Sequence, residues 1–105
     1  IGKKKLGFIH IEPRGPHKLR HTAELTMGVS PEARGLGIGR ELLDAALEKL
    51  RADGLIEILY LTARADNIAA IHLYQRCGFE KLALLERDTQ IGDKYYDGVL
   101  MRRWM

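Results

Sequence analysis

The stretch that decides the fold is GVSPEARGLGIGREL, residues 28–42. Glycines occupy every second position after an arginine, and the chain then enters a helical pattern. The first N–H groups of a helix have no internal partners, and the helix dipole places roughly half a positive charge there. Because glycine has no Cβ, a phosphate can approach these donors closely. The stretch therefore predicts an anion site, and the flanking Arg34 and Arg40 favour a diphosphate.

Three phosphate-binding patterns compete for this stretch. A P-loop requires Gly-Lys-Ser/Thr, but Arg40 and Glu41 follow the last glycine. The dinucleotide pattern Gly-x-Gly-x-x-Gly fails whether it is counted from Gly35 or from Gly37. The third pattern, Arg/Gln-x-x-Gly-x-Gly/Ala, matches Arg34–Gly39 at every fixed position.

The first half of the chain predicts a βαβ unit preceded by one more strand. Alternating apolar residues indicate strands at Leu6–Ile11 and His21–Val29. Apolar residues at helical spacing predict a helix over Gly39–Asp53, which Gly54 ends. The apolar run Leu55–Thr62 predicts a strand that is buried on both faces.

The second half of the chain predicts a short helix and two more strands. Asp66 or Asn67 can cap the helix, and Gly78 ends it. Strands follow at Phe79–Glu86 and Lys94–Trp104, with a Gly-Asp turn in the connecting segment TQIGDK. The resulting order, ββαβαββ, predicts an α/β sandwich with a mixed sheet.

The composition is that of a single soluble domain of 105 residues, with 46% hydrophobic and 30% charged residues. No apolar run approaches the roughly 20 residues of a membrane span, and no export signal is apparent, so we expect a cytoplasmic protein. The only cysteine, Cys77, excludes an internal disulfide and an all-cysteine metal site.

The net charge of +3, from 17 basic and 14 acidic residues, suits either a polyanionic small ligand or a nucleic acid. The aromatic residues do not alternate with lysine or arginine in a stacking platform, so we expect no nucleic-acid partner. The first residues, IGKKKLGFIHI, are typical of the second half of a β-hairpin, and we expect that an N-terminal portion of the native protein is missing.

Two motifs in the right order resemble the GNAT superfamily of acyl-CoA-dependent N-acyltransferases. The first is the hexapeptide Arg34–Gly39, and the second lies in ADNIAAIHLYQRCGFE, residues 65–80. The second segment resembles the family signature N-x-x-A-x-x-L-Y-x-x-x-G-F at Asn67, Ala70, Leu73, Tyr74, Gly78 and Phe79. The tail GDKYYDGVLMRRWM resembles the closing strand of the family.

The resemblance implies a fold for residues 1–105 as one acetyltransferase domain, corresponding to the C-terminal two-thirds of the family's domain. That fold is a mixed, mostly antiparallel sheet flanked by helices, with a splayed central pair of parallel strands. The family's first strand and its first helices, which help to bind the acceptor, would precede this chain.

The resemblance also implies acetyl-CoA as co-substrate. The pantetheine arm would lie in the gap between the splayed strands, along the backbone of Met27, Gly28 and Val29. The pyrophosphate would lie on the predicted anion site, formed by Arg34, Gly35, Leu36, Gly37, Ile38, Gly39 and Arg40. Asn67 and Ala70 would also contact the cofactor. A plain β-bulge at Gly28 and a mere helix cap at Asn67 are the alternatives.

The chemistry implied is a direct attack of a neutral amine on the thioester in a ternary complex. The Val29 N–H is the candidate donor to the carbonyl oxygen, and Tyr74 is the candidate general acid. Glu24 is the candidate base, with His21, His72 or an ordered water as alternatives. Tyr74 could instead simply pack its helix, and the direct route needs no Cys77 nucleophile.

The function implied is an N-acetyltransferase that needs no metal and moves an acetyl group from acetyl-CoA to a primary amine. The acceptor would be a small-molecule amine or a protein N-terminal amine. A non-catalytic acyl-CoA-binding or sensor domain is the alternative. The resemblance also allows a homodimer formed through the last strands.

Overall fold

The computed structural model describes residues 7–30 and 37–105, which form five strands and two α-helices in the predicted order. These elements are β1 Gly7–Pro13, β2 Thr22–Val29, α1 Ile38–Asp53, β3 Ile58–Arg64, α2 Ile68–Arg76, β4 Glu80–Ile91 and β5 Lys94–Trp104. A single 3₁₀ turn, His17–Leu19, connects β1 to β2. Neither α-helix in this part of the chain is long and apolar enough to cross a membrane.

The five strands form one mixed sheet in the spatial order β1-β2-β3-β5-β4. Only β2 and β3 are parallel, and every other neighbouring pair is antiparallel. The predicted mixed, mostly antiparallel sheet with a central parallel pair is therefore confirmed.

The core lies on one face of the sheet, where both helices pack. Alternate residues of the three central strands point to this face, because side chains along a strand alternate between its two sides. Leu43 and Leu47 of α1 and Ile71 and Tyr74 of α2 cover them. The buried strand residues are Ala23, Leu25, Leu59, Leu61, Ala63, Val99 and Met101.

The prediction that Leu55–Thr62 is a strand buried on both faces is wrong in two respects. The strand begins at Ile58, and Leu55 is 75% exposed. In addition, Thr62 is exposed on the face opposite the helices. The apolar run is long because it includes the connection from α1, in which Ile56 is buried and anchors the segment to the core.

β4 continues to Ile91, five residues past its predicted end at Glu86. The pairing with β5 shifts register on the way, and Arg87 lies there with a φ of 54°. Its N–H donates to Asp97 Oδ1 at 2.9 Å, so the irregularity is absorbed by a bulge rather than ending the strand. The predicted Gly-Asp turn then follows, with Gly92 at a φ of 60°.

β1 also extends beyond its predicted end at Ile11, so that the first residues of the predicted loop EPRGPHK are strand. The last of them, Pro13, is paired with Ala23. Proline has no N–H to donate, but it is tolerated here because β1 lies at the edge of the sheet that the described residues form.

Truncating the centre of the core should destabilise the domain. Leu61 is 1% exposed, so Leu61→Ala should lower the free energy of unfolding by about 2–5 kcal/mol, through lost burial and the cavity left behind. Urea denaturation followed by circular dichroism measures this difference. Leu55→Ala removes the same atoms from a side chain that is 75% exposed, and a comparable loss in this control would contradict the assignment of the core.

Candidate functional site

The two central parallel strands separate soon after they begin. β2 and β3 pair only from Thr22↔Ile58 to Glu24↔Tyr60. Beyond that point, in the part of the chain that the structure describes, β2 pairs only with β1, and β3 only with β5. A gap therefore opens in the middle of the sheet, between Leu25–Val29 on one side and Leu61–Arg64 on the other.

The backbone of β2 presents free hydrogen-bonding groups to this gap. The His21 carbonyl accepts from the Glu57 N–H across the sheet at 2.7 Å, whereas the Thr22 carbonyl accepts from Arg14 on the β1 side at 2.9 Å. Because these directions alternate along a strand, the odd-numbered residues of β2 face β3. The N–H and C=O groups of Met27 and Val29 therefore point into the gap, and those of Gly28 point towards β1.

The N-terminus of α1 also presents unpaired donors. Gly37 is the N-cap residue, and the first helical bond runs from the Glu41 N–H to its carbonyl at 3.0 Å. The N–H groups of Ile38, Gly39 and Arg40 precede that bond, and the N-cap residue has no side chain to satisfy them. This end of the helix is therefore a ready-made anion site in the described residues.

The glycines around the start of α1 are favoured for different physical reasons. Gly37 has a φ of 78°, a left-handed conformation that glycine adopts at little cost. Gly39 has little room for a side chain, because a Cβ there would lie 3.3 Å from Leu73 Cδ2 and 3.5 Å from Val29 Cγ2. At Gly28, a Cβ would lie 2.5 Å from Cε1 of the Phe8 ring. The element that approaches Gly28 closely is thus the neighbouring strand β1 of the same sheet.

One cavity of about 510 Å³, here called the main groove, joins these two features. Its lining includes the predicted β2 residues Met27, Gly28 and Val29. From the start of α1 it includes the predicted Gly37, Ile38, Gly39 and Arg40. From α2 it includes the predicted Asn67, Ala70 and Tyr74. The predicted Arg34, Gly35 and Leu36 lie outside the described residues.

A second cavity of about 150 Å³, here called the strand-gap cavity, lies between β2 and β3. Glu24 and Thr26 of β2, Thr62 of β3 and Tyr74 of α2 contribute to its lining. Tyr74 therefore lines both cavities, while Glu24 lines only the strand-gap cavity.

Tyr74 is held firmly between the two cavities. Its side chain is 6% exposed, and its ring meets Phe79 edge-on with 5.9 Å between the ring centroids. Burial raises the pKa of the Tyr74 phenol above its ordinary value of 10.0. The phenol is thus protonated, and able to donate, throughout the neutral range.

Asn67, one of the two residues predicted as the cap, caps α2. Its Oδ1 accepts a hydrogen bond from the Ala70 N–H at 3.2 Å. Because this bond uses the oxygen, the side-chain NH₂ group stays available to a ligand in the main groove.

Arg40 has a partner within its own helix. Its Nε donates to both carboxylate oxygens of Asp44, at 3.2 and 3.0 Å. The pair is exposed, so it contributes little to stability and can open at small cost when an anion approaches.

The other residues considered from the sequence are distributed around this region. The backbone carbonyl of His21 accepts hydrogen bonds from the connection into β3, and His72 is exposed on α2. Cys77 is buried, and burial raises the pKa of its thiol, which favours packing over nucleophilic chemistry. No group of three His, Cys, Asp or Glu side chains that could hold a metal ion occurs in residues 7–30 and 37–105.

Several residues that line the two cavities were not predicted from the sequence. Ala69, Leu73 and Arg76 line the main groove, and Thr26 and Thr62 line the strand-gap cavity. Helical spacing places Leu73 and Arg76 on the same side of α2 as Ala70, so that periodicity was the available signal. Nothing in the sequence pattern of β3 distinguishes Thr62, because the splay of the strands is a tertiary feature.

Comparison with known proteins agrees with this geometry. Residues 1–79 match the model of the acetyltransferase (GNAT) family. The chain belongs to the GNAT family. A mycothiol acetyltransferase of Geodermatophilus obscurus is 38% identical over 86 residues, covering 79% of this chain and 28% of that protein. The N-alpha-acetyltransferase RimI of Mycobacterium tuberculosis is 38% identical over 78 residues, covering 74% of this chain and 46% of that protein.

The fold of this GNAT chain is also found in solved structures. The acetyltransferase of the GNAT family from Streptococcus pneumoniae superposes with a TM-score of 0.92 and 31% identity. The match covers 100% of this chain and 63% of that one. The chain spans less than half of the length of the two curated relatives above.

The buried phenol of Tyr74 in this GNAT chain should lose its proton at a higher pH than an exposed tyrosine does. We expect Tyr74 to lose its proton only above pH 10.0, because burial disfavours the phenolate. The absorbance change at 295 nm on alkaline titration, taken as the difference between the wild-type chain and Tyr74→Phe, isolates this group. A Tyr74 component that titrates below pH 10.0 would contradict the assigned environment.

Proposed function

We propose that the protein transfers an acetyl group from acetyl-CoA to a primary amine. The observation that carries this proposal is the position of Tyr74, which lines both the main groove and the strand-gap cavity. Two molecules that entered the two cavities would meet at this phenol. The family to which the chain belongs supports acetyl transfer as the reaction.

The chemistry of the main groove suits coenzyme A. The unpaired N–H groups at the start of α1 can donate to a diphosphate, and the helix dipole favours its negative charge. The free N–H and C=O groups of Met27 and the C=O group of Val29 can pair with the amides of a pantetheine arm, as a neighbouring strand would. Asn67, at the start of α2, can donate from its NH₂ group to a ligand in the groove.

The residues around the gap suit acyl transfer. When bound, acetyl-CoA supplies an acetyl thioester, whose carbonyl carbon the acceptor amine attacks. The Val29 N–H donates to the carbonyl oxygen as negative charge develops on it. Tyr74 gives its proton to the departing sulfur, which its raised pKa allows because the phenol is protonated at neutral pH.

Glu24 is the proposed base for the attacking amine. It is the last residue of β2 that pairs with β3, and it lines the strand-gap cavity from the exposed side of the sheet. From there its carboxylate can take the amine proton directly or through a water molecule. His21 and His72 line neither cavity, which favours Glu24 over both.

The acceptor enters from the strand-gap cavity in this proposal. One relative is named for mycothiol and the other for acetylation at an N-alpha position, so both a small-molecule amine and a protein N-terminus are supported. A homodimer through the last strands stays a prediction, as does a cytoplasmic location.

The experiment that tests the proposal offers the purified protein acetyl-CoA together with a panel of amines, and measures release of free thiol. The panel contains polyamines, amino sugars and short peptides with free N-termini. We expect amine-dependent thiol release with at least one class. The alternative, an acyl-CoA-binding or sensor domain, predicts binding by calorimetry with no release for any amine.

A charge at the start of α1 should repel the coenzyme. Gly37→Asn and Gly37→Asp place side chains of equal size at a positive φ that both residues tolerate. Gly37→Asp adds a negative charge beside the unpaired amides, and we expect it to bind CoA at least about tenfold more weakly than Gly37→Asn, because two negative charges would then be close together. Isothermal titration calorimetry measures both dissociation constants.

The folding of these two variants provides the control. An aspartate near a helix N-terminus is at least as stabilising as an asparagine, so Gly37→Asp should melt no lower than Gly37→Asn. Equal CoA affinities in two folded variants would refute the diphosphate assignment.

Removing the phenol should slow the reaction and spare binding. Tyr74→Phe keeps the ring that packs against Phe79, so we expect the fold and the dissociation constant for acetyl-CoA to be retained. The turnover number should fall about 10²- to 10⁴-fold, because no proton is available for the leaving sulfur. Steady-state kinetics with the best amine of the panel measures this, and unchanged turnover would remove Tyr74 from the mechanism.

A further inference from the structure

The separation of the two central strands leaves a free edge on β3 as well as on β2. The Ala65 N–H, just past the end of β3, donates to the Asp97 carbonyl of β5 at 2.8 Å. Because these directions alternate along a strand, the odd-numbered residues of β3 face β5 and the even-numbered residues face β2. Pairing with β2 ends at Tyr60, so main-chain groups of Thr62 and Arg64 point into the gap.

Three of these main-chain groups have no partner in the part of the chain that the structure describes. They are the N–H and the C=O of Thr62 and the N–H of Arg64. The Arg64 carbonyl instead accepts from the Asn67 N–H at 3.0 Å, in the turn into α2. The free edge of β3, here defined as these three groups, therefore presents a donor, an acceptor and a second donor along the strand.

The outer end of this free edge is restrained by the side chain of Arg64. Its guanidinium donates to both carboxylate oxygens of Asp66, at 3.1 and 2.7 Å. The same group stacks on Tyr96 of β5, with 3.7 Å between Cζ and the ring centroid. These contacts restrain the main chain at Arg64 before a ligand binds, and a preorganised edge loses less entropy on binding.

A peptide main chain matches the free edge of β3 group for group. A residue that faces a parallel strand bonds to the C=O of one residue there and to the N–H of the residue two further along. Thr62 can therefore bond to the C=O of an acceptor's first residue and to the N–H of its third. The Arg64 N–H can then donate to the C=O of the third residue. A polyamine in its ammonium form offers only donors, so it would leave both N–H groups of the edge unpaired.

The direction of such an acceptor follows from the shape of the gap. Thr62 lines the strand-gap cavity together with Glu24 and Tyr74, the proposed base and acid. The gap is closed at its Tyr60 end and opens towards Arg64. An amine held at Glu24 and Tyr74 is therefore followed by a chain that runs outwards, parallel to β3.

We propose that the acceptor is the N-terminus of a polypeptide, whose first three residues add to the free edge of β3 as a parallel strand. This inference rests on the proposed function, and it narrows the acceptor from a primary amine to a peptide amine. Main-chain hydrogen bonds give the affinity in strand addition, so the side chains of the acceptor contribute less. Small-molecule amines would react without these hydrogen bonds.

A series of alanine acceptors of increasing length tests this inference on the wild-type protein. The acceptors are alaninamide and the di-, tri-, tetra- and pentaalanine amides, with acetyl-CoA as the donor. All of them carry the same amine on the same first residue, so only the length of the main chain changes. Release of free thiol gives kcat/KM for each acceptor. We expect kcat/KM to rise at least about tenfold from alaninamide to trialanine amide, and then to level off because the free edge ends at Arg64.

Methylation of single peptide nitrogens separates main-chain pairing from other effects of length. N-methylation of the third residue of pentaalanine amide removes the N–H that the Thr62 carbonyl would accept. The matched control is N-methylation of the fifth residue, which lies beyond the free edge. We expect the first change to lower kcat/KM about tenfold and the second to leave it unchanged.

Thr62→Pro assigns the effect to β3. It removes an N–H that faces the gap and not β5, so the pairing of β3 with β5 is retained. Thr62→Val keeps the N–H and serves as the matched control. We expect the preference for trialanine amide over alaninamide to fall severalfold in Thr62→Pro and to persist in Thr62→Val. Thermal melting checks that both variants fold, and the N-methyl comparison decides if Thr62→Pro does not.

The outcomes separate this inference from the proposed function. A wild-type protein that acetylates alaninamide as efficiently as trialanine amide would refute the inference and leave acetyl transfer intact. Equal effects of the two N-methyl groups, or a full preference for trialanine amide in folded Thr62→Pro, would refute it in the same way. Absence of thiol release with this series and with the whole amine panel would instead refute the proposed function.

Discussion

The constraint on which the site depends is the early end of pairing between β2 and β3. The two described strands are hydrogen-bonded to each other only as far as Glu24 and Tyr60. Beyond these residues β2 stays paired with β1, and β3 stays paired with β5. Separating them leaves main-chain groups of Met27 and Val29 without partners among the described residues, which costs free energy unless a ligand or water satisfies them. The proposed pantetheine arm would satisfy these groups. The same separation forms the strand-gap cavity, so Tyr74 lines that cavity as well as the main groove.

The anion site and the gap depend on one another through α1. This helix follows the end of β2 in the chain, and it packs against β1 and β2 on the core face. Its first N–H groups therefore lie close to the free edge of β2, and one groove contains both. Backbone groups supply most of the proposed binding, whereas side chains supply the proposed acid and base. The binding half of the proposed site thus depends mainly on main-chain groups.

Much of this arrangement could be predicted from the sequence, because glycine spacing and helical periodicity are local signals. The order of elements, the central parallel pair and the cap at Asn67 followed from such signals. Features set by tertiary packing could not be predicted in the same way. In the apolar run Leu55–Thr62, nothing in the sequence distinguishes the first residues, which belong to the connection from α1, from the strand that follows. The bulge at Arg87 depends on Asp97, ten residues away along the chain.

Gly39 lies where the start of α1 approaches both β2 and α2. Its backbone lies within contact distance of Leu73 on α2 and of Val29 on the free edge of β2. A methyl group there would lie 3.3 Å from Leu73 Cδ2, so the end of that side chain would have to move by a few tenths of an ångström, whereas 3.5 Å from Val29 Cγ2 is ordinary van der Waals contact. In the proposed complex this crowding would act beside both the diphosphate at the start of α1 and the pantetheine arm along β2, so one position would influence how both parts of the co-substrate are held.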